Sequence, residues 1–201
     1  MDRGDGEVKR LAKILAVIVV VLLSAFLIFR VPDTDPGEMR AKYGGAPSQF
    51  VELGNGVTTH VRDEGPREAP AIVLLHGSNS DLHTWQPWVD RLKRDWRVIR
   101  LDQRGHDLTG PAADGDYRRE AFAGDIDRLA DKLGLGRFVI AGNSMGGYGA
   151  VVYAGRNPGL FSAAASFSGA LDVKTMTEHF DDPHYLDRWG DPIADEANVA
   201  A

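Results

Sequence analysis

The chain has 201 residues, is 43% hydrophobic and 26% charged, and carries a formal net charge of -6. That is the composition of a folded domain with a sizeable core, and its acidity argues against nucleic acid as a partner, because phosphates need Lys and Arg. It contains no cysteine, so disulfides, thiolate metal sites and cysteine nucleophiles are excluded.

Residues 1 to 10 are polar, and their Lys9 and Arg10 are joined by Lys13. From Ile14 to Phe29 the sequence is apolar with Ser24 as its one polar residue, and Leu11 and Ala12 extend the run. A helix needs about 20 such residues to cross the hydrocarbon core, so 11–30 reads as a transmembrane anchor. The rival is a cleaved signal peptide, but bulky Phe26 to Phe29 run into Arg30 with no small-residue cleavage site. Basic residues before the span, and Asp33, Asp35 and Glu38 after it, place the N-terminus in the cytoplasm and the body on the far side.

Residues 31–48, rich in Pro and Gly, read as a linker, and a partial α/β core occupies 49–171. Phe50–Leu53 and Val57–Asp63 flank Gly54-Asn55-Gly56, which suits a two-residue hairpin turn. Ala71–Leu75 is a fully apolar strand that runs into His76-Gly77-Ser78-Asn79. Trp85, Trp88, Val89 and Leu92 mark one helical face, with the aromatics expected in the core. Trp96–Leu101 is the next strand and ends in Asp102-Gln103-Arg104-Gly105-His106-Asp107. Phe122, Ile126, Leu129 and Leu133 give a second amphipathic helix, stopped by Gly134. Arg137–Ala141 and Ala163–Ser168 are further strands on either side of a helix that ends near Pro158. Strands alternating with helices predict a mostly parallel sheet covered on both faces, with its site at the carboxyl ends of the strands. Residues 172–201 are Asp-rich, interrupted by Pro and irregular, and no metal-ligand spacing or cofactor motif stands out.

The segment Gly142-Asn143-Ser144-Met145-Gly146 follows an apolar strand and opens a helix. In so tight a turn a Cβ at Gly142 or Gly146 would meet neighbouring backbone, and the turn exposes the Ser144 hydroxyl. A tetrahedral oxyanion needs two fixed donors, and the N–H groups of Met145 and Ser78 are the natural pair.

The chain from Phe50 to Ser168 resembles the α/β-hydrolase superfamily in three motifs: His76-Gly77-Ser78, Asp102-Gln103-Arg104-Gly105-His106, and Gly142-Asn143-Ser144-Met145-Gly146-Gly147. It is similar to membrane-anchored bacterial members of the lipase/esterase and C–C hydrolase branch, while Gly146 to Ala150 and Ala163 to Asp172 look more like tributyrin esterase and S-formylglutathione hydrolase. The resemblance implies an α/β-hydrolase fold, C-terminally incomplete, in which Ser144 forms an acyl-enzyme with a small ester or related acyl substrate. Members that open epoxides carry an aspartate at the apex, so a serine points away from that chemistry. Serine needs a base oriented by an acid, in the order Ser, acid, His. Only 57 residues follow Ser144, fewer than the family uses to reach its acid and histidine. Asp172 as acid and His179 or His184 as base are what this chain offers. The alternative is a non-catalytic remnant that binds acyl ligands. His76 and His106 belong to loop motifs of the family, and His60 and His83, without a motif, read as surface residues. Asp107 stands where the family has glycine, at a position where φ can be positive.

Overall fold

The computed structural model describes residues 3–31 and 33–169, which belong to two compact units divided between Asp35 and Pro36. In the first, helix α1 (Arg3–Phe29) contains the stretch Val8–Phe29, 22 residues long and apolar enough to cross a membrane, none of it buried. The second unit opens with helix α2 (Pro36–Tyr43), which lies inside the expected linker. Pro36 at its first position needs no N–H donor and presets φ, so a proline read as a linker residue is here a helix start.

Strand β1 (Ser48–Glu52) pairs antiparallel with β2 (Thr58–Glu64). The turn between them is a three-residue loop closed by Leu53 N–H to Val57 O at 2.9 Å, not the expected two-residue turn. Gly54 and Gly56 both take positive φ, 81° and 82°, so Asn55 sits between two left-handed residues. Its side chain takes over the pairing, accepting from Val57 N–H at 3.2 Å and donating to Asp125 Oδ1 at 2.9 Å.

Four more strands follow: β3 (Ala71–Leu75), β4 (Arg97–Leu101), β5 (Phe138–Asn143) and β6 (Phe161–Phe167). The sheet order is β1-β2-β4-β3-β5-β6, and β4, β3, β5 and β6 are mutually parallel. Side chains alternate across this sheet. Val73, Leu75, Ile99, Leu101 and Ile140 enter one core, while Leu74, Val98 and Ala141 enter the other. Helices α4 (Arg119–Leu133) and α5 (Met145–Arg156) cover the first face through Ile126, Leu129, Val152 and Tyr153. The second is covered by α3 (Gln86–Leu92) and the 3-10 turn Leu82–Trp85 before it. At seven residues α3 is too short to persist alone, so it depends on burying Val89 and Trp85, worth about 1.5–3 kcal/mol for an aliphatic side chain. Trp88, expected in the core, is 46% exposed and packs at its edge, with ring centroids 6.0 Å from Trp85 and 5.1 Å from Phe167. Gly134 ends α4 in the left-handed conformation, as its place after the apolar stripe predicts.

Two arginines in the central strand β4 are buried. Arg97 grips Asp63 through Nε (3.1 Å) and Nη2 (2.8 Å), and Arg100 Nη2 donates to Glu64 Oε2 at 2.7 Å. The apolar reading of β4 passes over them, since both partners come from β2.

Candidate active site

The end of β5 and the start of α5 meet at Ser144, whose φ of 52° and ψ of -118° lie outside the regions open to ordinary L-residues. Neighbouring backbone holds it there: Ser144 N–H donates to Phe167 O at 2.8 Å, and Ser144 O accepts from Tyr148 N–H at 3.0 Å. The flanking glycines are sterically required. A Cβ at Gly142 would run into the Gly146 carbonyl, and one at Gly146 would run into the carbonyls of Leu75 and His76. The serine side is exposed, at the carboxyl edge of the sheet and at the N-terminus of a twelve-residue helix. That end presents free N–H groups and the positive end of the helix dipole.

The loop after β3 closes on the same point. A Cβ on Gly77 would lie 3.0 Å from Ser144 Cβ and 3.3 Å from Asn143 O, so glycine is what lets this loop reach the turn. Ser78 Oγ lies 3.5 Å from Met145 Sδ, so the two residues expected to stabilise an oxyanion are neighbours. His76 fixes the loop from behind. Its Nδ1 lies 2.7 Å from Gly77 O and its Nε2 accepts from Gln103 N–H at 2.9 Å, an arrangement that requires the neutral tautomer protonated on Nδ1. Burial holds this imidazole below its ordinary pKa, in keeping with a neutral ring. Gln103 returns a bond from Nε2 to His76 O at 2.9 Å, tying the β3 and β4 loops together.

Arg104 extends this frame. Its Nε and Nη2 each lie 2.7 Å from an Asp125 oxygen, and Asp125 also holds Asn55, so one buried carboxylate joins the β4 loop, α4 and the β1–β2 turn. Beside Met145 lies an open cleft of about 1150 Å³, walled by Gln103, Tyr117, Phe122, Tyr148 and Tyr153.

The histidines are placed differently from expectation. His60 is fully buried, not superficial: Nδ1 lies 2.6 Å from Asp102 Oδ2 and Nε2 lies 2.7 Å from Ser48 Oγ. Burial alone would raise the Asp102 pKa, but the bonds from His60 and Leu82 N–H outweigh it and hold the carboxyl below its ordinary value. Neither residue sits in a motif that marks the pairing, and no local spacing could have shown it. His83 is partly exposed beside Asp81, and His106 lies against Arg104 O and the His76 ring. Among the described residues no imidazole hydrogen-bonds to the Ser144 hydroxyl. Asp172, His179 and His184 lie outside the described residues. Metal-ligating side chains do converge elsewhere: Asp81, His83 and Asp107 offer donor atoms within 4.8 Å of one another. The sequence shows no metal spacing because Asp107 is supplied from a different loop.

An exposed serine on a strained turn from strand to helix, at the carboxyl edge of a doubly covered and mostly parallel sheet, is the architecture of an α/β hydrolase. A family model described as the alpha/beta hydrolase fold matches residues 70–191, and the chain belongs to that family. Among curated relatives, 2-(acetamidomethylene)succinate hydrolase of Mesorhizobium japonicum is 32% identical over 128 residues, covering 64% of this chain and 45% of the relative. The bifunctional esterase/perhydrolase DCH of Acinetobacter calcoaceticus is 32% identical over 110 residues, covering 54% of this chain and 40% of the relative. A crystal structure of E-2-(acetamidomethylene)succinate hydrolase matches with a TM-score of 0.54 at 30% identity, covering 58% of this chain and 42% of that one. A structure reported with novel epoxide hydrolases from hot environments matches with a TM-score of 0.58 at 29% identity, covering 70% and 53%. The chain thus spans about half the length, or less, of the relatives it matches.

Proposed function

We propose that the chain is part of a serine hydrolase that cleaves carboxylic esters or related acyl substrates through an acyl-enzyme on Ser144. The observation that carries this is the strained, exposed Ser144, with Ser78 and the N-terminus of α5 beside it. The hydroxyl attacks the acyl carbon, and the N–H groups of Met145 and Ser78 receive the charge that develops on the acyl oxygen. Losing one such donor typically costs about 100- to 1,000-fold in rate. The intermediate collapses by breaking the ester C–O bond, the alcohol leaves with the proton taken from the Ser144 hydroxyl, and water then releases the acid and restores the hydroxyl. Epoxide hydrolases stand among the relatives, but a serine at the apex favours acyl transfer here. The esterase relative lends independent weight to the same reading.

A base must take the Ser144 proton, and His179 or His184, with Asp172 as acid, are the residues this chain offers for it. A second reading has its own observation in support: every described imidazole is held against other groups. On that reading the chain binds acyl ligands and turns over slowly or not at all. The apolar stretch of α1 is read as an anchor, with the N-terminus cytoplasmic and the catalytic unit on the other side. A fluorophosphonate probe, followed by peptide mapping, tests the main reading: label on Ser144, absent from Ser144→Ala, is expected. An unlabelled wild-type chain supports ligand binding without catalysis instead.

A further inference from the structure

Imidazole and carboxylate groups from separate segments gather where the turn after β3 meets the loop after β4. Asp81, His83 and Asp107 form one group, and His60, Asp102 and Asp107 form a second that shares Asp107. The two groups differ in what is left for a ligand. In the inner one, both His60 nitrogens are taken by Asp102 and Ser48, and both Asp102 oxygens by His60 and Leu82 N–H. The outer group is reachable from solvent, Asp107 being exposed and Asp81 and His83 partly so, although Asp81 Oδ1 already accepts from His83 N–H at 2.6 Å.

The charges around it are unusual for this molecule. Buried or nearly buried carboxylates elsewhere in the molecule are matched by arginine: Asp63 by Arg97, Glu64 by Arg100, and Asp125 by Arg104. Among the described residues, Asp81 and Asp102 are matched only by imidazoles, and Asp107 has no ion-pair partner. Arg62 feels the charges of Asp102 and Asp81, but its nitrogens donate to Ser48 Oγ at 3.0 Å and Tyr43 O at 3.5 Å. Among the described residues, three carboxylates with two imidazoles and no Lys or Arg in an ion pair with them leave this cluster with an excess of negative charge.

We propose that Asp81, His83 and Asp107 bind a divalent first-row transition ion, with Zn²⁺ as the natural occupant. An imidazole with two carboxylates suits such an ion better than Mg²⁺ or Ca²⁺, which take oxygen donors. Donors about 2.1 Å from a tetrahedral Zn²⁺ lie about 3.4 Å apart, so groups already within 4.8 Å need to close by little more than an ångström. Exposed and half-exposed side chains reach that by small rotations, and water fills the remaining positions. His60 and Asp102 form a buried pair whose donor atoms also lie within 4.8 Å of an Asp107 oxygen. The ion clips the segment after β3 to the loop after β4, the same two loops that His76 and Gln103 join from the other side. It also gives a reason for an aspartate at Asp107, where φ is 37° and a side chain is strained.

The test is calorimetric titration of the full chain in detergent, stripped with EDTA, using ZnCl₂ and in parallel MgCl₂. Wild type should take up one saturable equivalent of Zn²⁺ that equimolar Mg²⁺ does not displace. Asp107→Gly and His83→Ala should each weaken binding at least about tenfold. Because Asp107→Gly places glycine at a positive φ, it should fold at least as well as wild type, so loss of binding there is loss of a ligand. Ser144→Ala should bind Zn²⁺ like wild type, which keeps this result separate from the serine chemistry. No saturable Zn²⁺ uptake by wild type would overturn the proposal. So would undiminished binding by either variant, which would put the ion on other side chains such as His179 and His184, or displacement of Zn²⁺ by equimolar Mg²⁺.

Discussion

Replacing Asp125 by alanine removes the acceptor of three bonds: Arg104 Nε at 2.7 Å, Arg104 Nη2 at 2.7 Å and Asn55 Nδ2 at 2.9 Å. The Arg104 side chain is 1% exposed, so its charge loses its partner inside the protein instead of returning to water. Breaking a buried pair from one side costs about 3–5 kcal/mol. Arg104 keeps the Asp116 carbonyl at 2.5 Å and the more distant Asp114 carboxylate at 3.7 Å, which places the expected loss near the lower end, about 3 kcal/mol. Urea unfolding of the full chain in detergent, read by tryptophan fluorescence, measures it. Removing both charges with Arg104→Met and Asp125→Leu should recover most of the loss, since a paired set of apolar replacements leaves no orphaned charge. A loss below about 1 kcal/mol for Asp125→Ala, the level of an exposed ion pair, would refute the claim that this carboxylate holds the β4 loop, α4 and the hairpin turn together.

The turn itself makes a sharper prediction: Gly142→Ala should give insoluble protein, or soluble protein whose Ser144 is inert to a fluorophosphonate, because the added methyl meets the Gly146 carbonyl. Gly77→Ala, with a contact of 3.0 Å to Ser144 Cβ, should fold but acylate more slowly, as its loop is pushed off the serine; unchanged acylation would count against that loop as part of the site. The depressed His76 pKa binds fewer protons in the folded than in the unfolded state, so its contribution is intact above the unfolded value of about 6.5 and is lost as pH falls below it. Urea midpoints at pH 7.5 and 5.5 should therefore differ less in His76→Gln than in wild type. If α1 is an anchor, the chain should stay with membranes through carbonate extraction, and a chain lacking residues 1 to 30 should not; recovery of a soluble form processed after Phe29 would mark a signal peptide.

What could be read from the sequence was local. The apolar strands, the α4 stripe with its Gly134 stop, and the serine between Gly142 and Gly146 are each set by neighbours a few residues apart, and each is where periodicity and steric need place it. The hairpin loop is one residue longer than its Asn-Gly pair suggests, because the glycines on both sides of Asn55 take positive φ. The helix at Pro36 is not legible in the sequence, because proline opens a helix as readily as it interrupts a loop. Long-range polar pairing was hidden altogether. His60 meets Asp102 42 residues away, and Asn55 meets Asp125 70 residues away, partners that only the sheet order brings together. Gly77 was visible as part of a motif, but its closeness to Ser144 depends on β3 and β5 being neighbours.

The central claim is that Ser144 is acylated, and intact-mass spectrometry of the chain during turnover of a p-nitrophenyl ester tests it most directly. The account predicts a burst of p-nitrophenol matched by a mass increase of one acyl group, mapped to the peptide that carries Ser144 and absent from Ser144→Ala. An unmodified mass throughout, with ester cleavage equal in wild type and Ser144→Ala, would contradict it.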